Sequence, residues 1–176
     1  MRNALVVIDM QIGFSNEHTE MLEDKIANFI DKYKEHFYSI IGTRYINHTE
    51  TACYKFEGYT KCMRGSVESY TLPKLASRYT FSFSKNKYSC WTDKLKMYIR
   101  ENKIDRLYFV GVNTGCCVLH SVFDAYNDVI DSYVISDLCG STSGEQSHKV
   151  ALQVLRECIT SERVIESKEF INTLGG

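Results

Sequence analysis

The sequence predicts an α/β fold: a three-layer sandwich in which a doubly wound, mainly parallel sheet of about six strands carries helices on both faces. Three observations carry this expectation. Apolar runs rich in β-branched and aromatic residues alternate along the chain with segments of three- and four-residue apolar spacing, the order that builds parallel sheets. The first run, Ala4 to Ile8 (ALVVI), is continuous rather than alternating, as a strand buried on both faces must be. The chain has 176 residues, 44% of them apolar, with no internal repeat, low-complexity tract or linker, so residues 1–176 are expected to share one core and one domain.

After the first strand, Leu22, Ile26, Phe29, Ile30, Tyr33 and Phe37 fall on one face of a helix over about 19–37. Residues 38–46 (YSIIGTRYI) read as the second strand and 79–84 (YTFSFS) as the third. Between them, residues 47–78 hold Gly58, Gly65 and the only proline, Pro73. A short helix near 72–78 is expected there, within an insertion that shapes the pocket. Ser89 is the expected N-cap of a helix carrying Trp91, Leu95, Tyr98 and Ile99, which leads to a fourth strand over 106–112.

A helix over about 115–127 follows, with Val118, Val122 and Ala125 on its apolar stripe, and residues 133–136 form a fifth strand. Ser143-Gly144-Glu145-Gln146 matches the capping-box pattern, opening a helix expected to bury Val150, Ala151, Val154, Leu155 and Cys158. Residues 163–166 make a short sixth strand.

Composition excludes several function classes. With 21 basic and 22 acidic residues the chain offers no global attraction for phosphate backbones, so nucleic acid is not an expected partner. No apolar run approaches the roughly 20 residues of a membrane span, and no membrane association is expected. Asp9 interrupts the first apolar run before it makes a signal-peptide core, which points to a cytoplasmic protein. Seven cysteines are too few for a disulfide scaffold and lack metal-site spacing. No metal and no cofactor is expected.

In an open parallel sheet, ligands bind beyond the carboxyl ends of the strands. Asp9 closes the first strand, Lys85 lies at the end of the third, and Cys117 sits just past the fourth. If Thr114 caps the following helix, Cys117 lies in its first turn, beside amides without intrahelical acceptors. That position, with a nearby ammonium, favours thiolate and provides donors for an oxyanion. The alternative for Cys117 is a small buried apolar side chain; for Asp9, a loop cap; for Lys85, a solvated strand end.

These residues fall within three segments: Ala4 to Phe14 (ALVVIDMQIGF), Lys85 to Trp91 (KNKYSCW) and Gly111 to Val118 (GVNTGCCV). In this order they resemble the isochorismatase-like cysteine hydrolase superfamily, which includes nicotinamidases and N-carbamoylsarcosine amidases. The resemblance covers most of the chain and implies a catalytic triad of Asp9, Lys85 and Cys117. It also implies a cis peptide at Val112–Asn113, an oxyanion hole from the amides of Asn113 and Cys117, and assembly as a dimer or tetramer.

Two departures from the family pattern stand out. Thr114-Gly115 replaces a common Thr-Asp, and His48 has no partner histidine, which argues against the metal of nicotinamidases. The expected activity is hydrolysis of the C–N bond of a small-molecule amide through a thioester, with Phe14 and Trp91 as pocket walls. The alternatives are a catalytically silent binding or regulatory protein of the same fold, with Gly115 as the symptom, and a redox sensor built on Cys116 and Cys117.

Overall fold

In the computed structural model, which describes residues 1–175, six strands form one sheet in which every neighbouring pair is parallel. The first half comprises β1 (Asn3–Ile8), α1 (Met21–Tyr33), β2 (Ser39–Tyr45), α2 (Ala52–Glu57), α3 (Pro73–Ala76) and β3 (Phe81–Lys85). The second comprises α4 (Asp93–Glu101), β4 (Arg106–Val112), α5 (Leu119–Asn127), β5 (Asp131–Gly140), α6 (Glu145–Ile159) and β6 (Val164–Ile165). Across the sheet the order is β3-β2-β1-β4-β5-β6, so the winding reverses between β1 and β4. That reversal opens a crevice at the carboxyl ends of these two strands.

Every residue of β1 is buried, and successive side chains serve opposite layers. Ala4, Val6 and Ile8 pack with Leu95 of α4, Val122 of α5 and Leu155 of α6. On the other face, Leu5 and Val7 pack with Leu22, Ile26 and Ile30 of α1 and Leu75 of α3. This double burial is why the first run is continuously apolar.

Gly111 permits the contact between β1 and β4 next to the crevice. Its φ is +112°, and a Cβ there would stand 2.2 Å from the Ile8 carbonyl oxygen. Only glycine fits such a position.

Several boundaries differ from the sequence expectation for identifiable reasons. The helical path of α1 tightens into a 3-10 turn over Lys34–His36, so the regular helix ends at Tyr33 while Phe37 still reaches the core. Ser89 does not cap α4; its hydroxyl accepts from the Trp91 amide at 3.1 Å, and the N-cap is Thr92. β5 is longer than expected because Cys139 and Gly140 still pair with Gly111 and Val112.

The capping box expected at Ser143 is absent. Gly144, with φ +96°, occupies the N-cap of α6 without a side-chain bond, whereas a capping box forms at Glu166 and Glu169. The buried face of α6 is Ala151, Leu152, Leu155 and Ile159, and Val150, Val154 and Cys158 are exposed. A turn of 3.6 residues shared by many apolar positions leaves two adjacent stripes, and packing on the sheet selects one.

Residues 47–78 hold more order than expected. Besides α3 they contain α2, whose first turn is capped by Thr51 accepting from the Tyr54 amide at 3.2 Å. Gly58, at φ +66°, ends α2 in the left-handed conformation. Among the described residues no helix is long and apolar enough to cross a membrane.

Candidate active site

Asp9 leaves β1 with φ +49°, a left-handed conformation that Asp tolerates better than most residues. Its side chain is wholly buried, and a buried carboxylate needs partners. Lys85, the last residue of β3, donates to Asp9 Oδ2 at 2.6 Å. The Thr43 hydroxyl in β2 donates to Oδ1 at 2.7 Å and accepts from the Asp9 amide at 3.2 Å. Strands β1, β2 and β3, adjacent in the sheet, thus supply one buried polar cluster.

The Lys85 ammonium also donates to the Lys87 carbonyl at 2.9 Å and stands 5.6 Å from the centroid of the Tyr45 ring. Burial disfavours its charge, but the Asp9 carboxylate and the Cys117 side chain outweigh burial and hold Lys85 above the ordinary lysine range. Lys85 is therefore a structural cation at neutral pH, not a solvated strand end.

Across the crevice, β4 ends at a cis peptide between Val112 and Asn113. Asn113 Oδ1 accepts from the Thr142 amide at 2.7 Å, tying this turn to the segment after β5. Residues Thr114–Val118 then form a π-helical turn that precedes α5. Its Val118 amide reaches back to the Asn113 carbonyl at 3.2 Å. Thr114 is inside this turn rather than capping it, and its hydroxyl pairs with His148 Nδ1 at 2.8 Å.

Gly115 faces α6. A Cβ at this position would meet the Ala151 Cβ at 3.4 Å, so α6 sits directly on the turn. That is an ordinary van der Waals distance, and Gly115 is exposed, so the packing does not by itself require glycine there.

Cys117 is buried, and the Ser121 hydroxyl holds its carbonyl at 2.6 Å while accepting from the Cys90 amide at 2.9 Å. The thiol does not have the lowered pKa expected from a helix N-terminus. Burial raises it well above the ordinary cysteine value and the adjacent Asp9 carboxylate raises it further, with Lys85 opposing. The physical reason is that the sulfur is shut off from water and already faces one negative charge.

Asn113, Cys116 and Cys117 line one side of a cleft of about 120 Å³. Phe14 and Tyr45 close it from the β1 and β2 side, and Cys53, Glu57, Tyr59 and Tyr88 complete it. Phe14 is therefore a wall, as the sequence suggests. Trp91 is not: its indole Nε1 donates to Asp128 Oδ2 at 2.6 Å, and it lines a separate depression between α4 and the end of α5. Its position in the second motif segment reflects packing beside α4.

Sequence reasoning missed Thr43, Tyr45, Glu57 and Tyr59 as site residues. Thr43 and Tyr45 lie within an apolar strand pattern that gives polar atoms no special weight, and Glu57 and Tyr59 lie in the irregular insertion. His48 pairs with Asn86 at 3.2 Å. Among the described residues no group of three His, Cys, Asp or Glu side chains is placed to hold a metal ion.

The family model for the isochorismatase domain matches residues 3–164. An isochorismatase-like hydrolase from Alkaliphilus metalliredigens superposes with a TM-score of 0.85 at 20% identity, covering 98% of this chain and 99% of that one. A nicotinamidase from Bacillus subtilis gives 0.83 at 21% identity over 94% of this chain and 100% of its own. For the N-carbamoylsarcosine amidase from Thermoplasma acidophilum the TM-score is 0.82 at 20% identity, with coverages of 95% and 97%. With the matched domain spanning most of the sequence and the same sheet beneath it, the chain belongs to the isochorismatase family of hydrolases.

Proposed function

We propose that this protein is a cysteine hydrolase that cleaves the C–N bond of a small carboxamide through a thioester on Cys117. The observation that carries the reading is the buried Asp9–Lys85 pair set against the buried Cys117 thiol at the floor of a small cleft. A neutral thiol beside a carboxylate is a nucleophile with its base in place.

In the first half-reaction the Cys117 sulfur bonds to the amide carbon as its proton passes to Asp9. The carbonyl oxygen gains the negative charge, and the backbone amides of Asn113 and Cys117, both at the cleft wall, are the donors for it. Asp9 then gives its proton to the nitrogen, the C–N bond breaks, and ammonia leaves. In the second half-reaction water adds to the thioester carbon while Asp9 takes its proton. The C–S bond breaks, the carboxylic acid departs, and the proton returns to sulfur.

Lys85 stays an ammonium throughout. Its charge, 2.6 Å from Asp9 Oδ2, stabilises the anionic partner in each step. The family membership and the likeness to two amide-cleaving enzymes support this chemistry without fixing the substrate.

The test is ammonia release from a panel of primary amides, ureido acids and nicotinamide, with mass spectrometry of the quenched protein. Turnover accompanied by an acyl adduct on the peptide containing Cys117 is the expected result. Ammonia release that persists in Cys117→Ala would overturn the mechanism.

A further inference from the structure

The charge and shape of the cleft carry more than the identity of the nucleophile. Among the residues that line it, Glu57 is the only one with a formal charge, since Asp9 and Lys85 neutralise each other beneath the floor. Glu57 stands at the end of α2, is exposed, and takes part in none of the ion pairs among the described residues. Its one hydrogen bond is from the Tyr88 hydroxyl to Oε1, at 2.6 Å. A carboxylate accepts several such bonds, so most of its acceptor capacity has no protein partner among the described residues.

The remaining walls are aromatic faces. Phe14 and Tyr59 lie parallel within 3° with centroids 6.3 Å apart, and Tyr45 stands 6.4 Å from Phe14. Burial first, and neighbouring thiols after it, push the Tyr45 and Tyr59 phenols above the ordinary tyrosine range, while the hydrogen bond to Glu57 does so for Tyr88. All three rings are therefore neutral phenols at neutral pH. The Tyr45 face already has a cation above it, the Lys85 ammonium.

Aromatic faces with one uncompensated carboxylate are the chemistry that selects a cation over a neutral group of equal shape. An anion at the same place would meet Glu57 without any facing positive charge. We infer that the cleft takes small carboxamides bearing an ammonium or quaternary ammonium group, held by Glu57 and the rings of Phe14, Tyr59 and Tyr88 while the amide carbon meets Cys117. This rests on the hydrolase reading for the fate of the amide, but the recognition of the cation does not.

Two matched compounds separate charge from shape: trimethylammonioacetamide and its neutral isostere 3,3-dimethylbutanamide. Binding to Cys117→Ala protein is measured by calorimetry, and ammonia release by the unaltered protein is measured in parallel. The cationic amide is expected to bind at least ~10-fold more tightly, in line with a partly desolvated cation–π contact plus an ion pair. Glu57→Gln is expected to bring the ratio towards unity, and Glu57→Lys to favour the anionic amide malonamate over both.

A folded Glu57→Gln protein, checked by its melting transition, that keeps the full preference would overturn the role of Glu57. Equal binding of the two isosteres, or no binding of either, would overturn the inference. Ammonia release from the neutral amide would in that case leave the hydrolase reading standing. Conversely, selective cation binding with no ammonia from any amide would retain the recognition and remove the reaction.

Discussion

The Lys85 ammonium lies 2.6 Å from a carboxylate oxygen of Asp9, and neither side chain exposes any surface. Removing one partner of such a pair leaves the other as an uncompensated buried charge, whereas removing both with apolar residues of similar size does not. Asp9→Leu and Lys85→Met are each expected to cost about 3–5 kcal/mol of stability. The double variant should recover most of that loss in urea denaturation while remaining inactive. Additive destabilisation in the double variant would mean that the two charges are not coupled.

Cys117 and Cys116 both line the cleft, but of the two only the Cys117 thiol is acted on by the charges of Asp9 and Lys85. Cys117→Ala should lower kcat/KM by at least ~10³-fold, as expected for loss of an activated nucleophile. Cys116→Ala should keep kcat/KM within ~10-fold of the starting value, since it removes one wall contact and no reacting atom. Steady-state ammonia release measures both, and equal losses would reassign the nucleophile.

Alkylation of the resting enzyme gives a separate measure of the thiol. Because burial and Asp9 raise the Cys117 pKa, its reaction with iodoacetamide at neutral pH should lag that of exposed Cys158 and accelerate into the alkaline range. Lys85→Met removes the buried cation that favours thiolate, so the midpoint for Cys117 should move further up. Peptide mapping across a pH series resolves the two sites; a midpoint unchanged by Lys85→Met would show that the ammonium does not act on the sulfur.

Burial also pushes the thiols of Cys62, Cys90 and Cys139 up, to about 11, 12 and 12, from an ordinary value of 9.0. A thiol whose pKa is higher in the folded state binds its proton more tightly there. The associated stability is complete below about pH 9 and is lost as pH rises towards the folded values, by roughly 1.4 kcal/mol per pH unit for each thiol. Urea midpoints should therefore fall steeply between pH 9 and 10.5, and Cys90→Ala should make that slope shallower. A flat profile over this range would contradict the raised values.

Gly111 and Gly58 both have positive φ but differ in surroundings. A Cβ at Gly111 meets the Ile8 backbone, whereas nothing lies within 4 Å of one at Gly58. Gly58→Ala should cost only about 1 kcal/mol, the penalty of the left-handed conformation. Gly111→Ala must push β1 and β4 apart beside Asp9, and should lose several times that amount, with activity lost in any folded fraction. Denaturation midpoints of the two variants, compared under one condition, check this.

The sheet was legible because its signal is strong and local. A continuous apolar β1 and helices with clear three- and four-residue spacing leave few alternatives, and three strand ends carrying Asp9, Lys85 and Cys117 mark one edge of the sheet. Helix starts were less legible. Ser89 and Ser143 each fit a capping pattern, yet Thr92 and Gly144 take those places, and the Ser89 hydroxyl accepts from the Trp91 amide instead. Residues 47–78 lack any period, so α2 and the positions of Glu57 and Tyr59 could not be read from them.

The sequence by itself determined the α/β architecture, the parallel order implied by alternating elements, and the three residues that could converge, since each depends on hydrophobic period and on position relative to a strand end. Their convergence, the placing of Trp91 elsewhere and the burial that raises the Cys117 thiol pKa, where the helix N-terminus predicts a lowered one, arise from the tertiary structure alone. The physical reason is that burial and pair electrostatics depend on distances between residues 76 positions apart, as in Lys85 and Asp9, which no local pattern encodes.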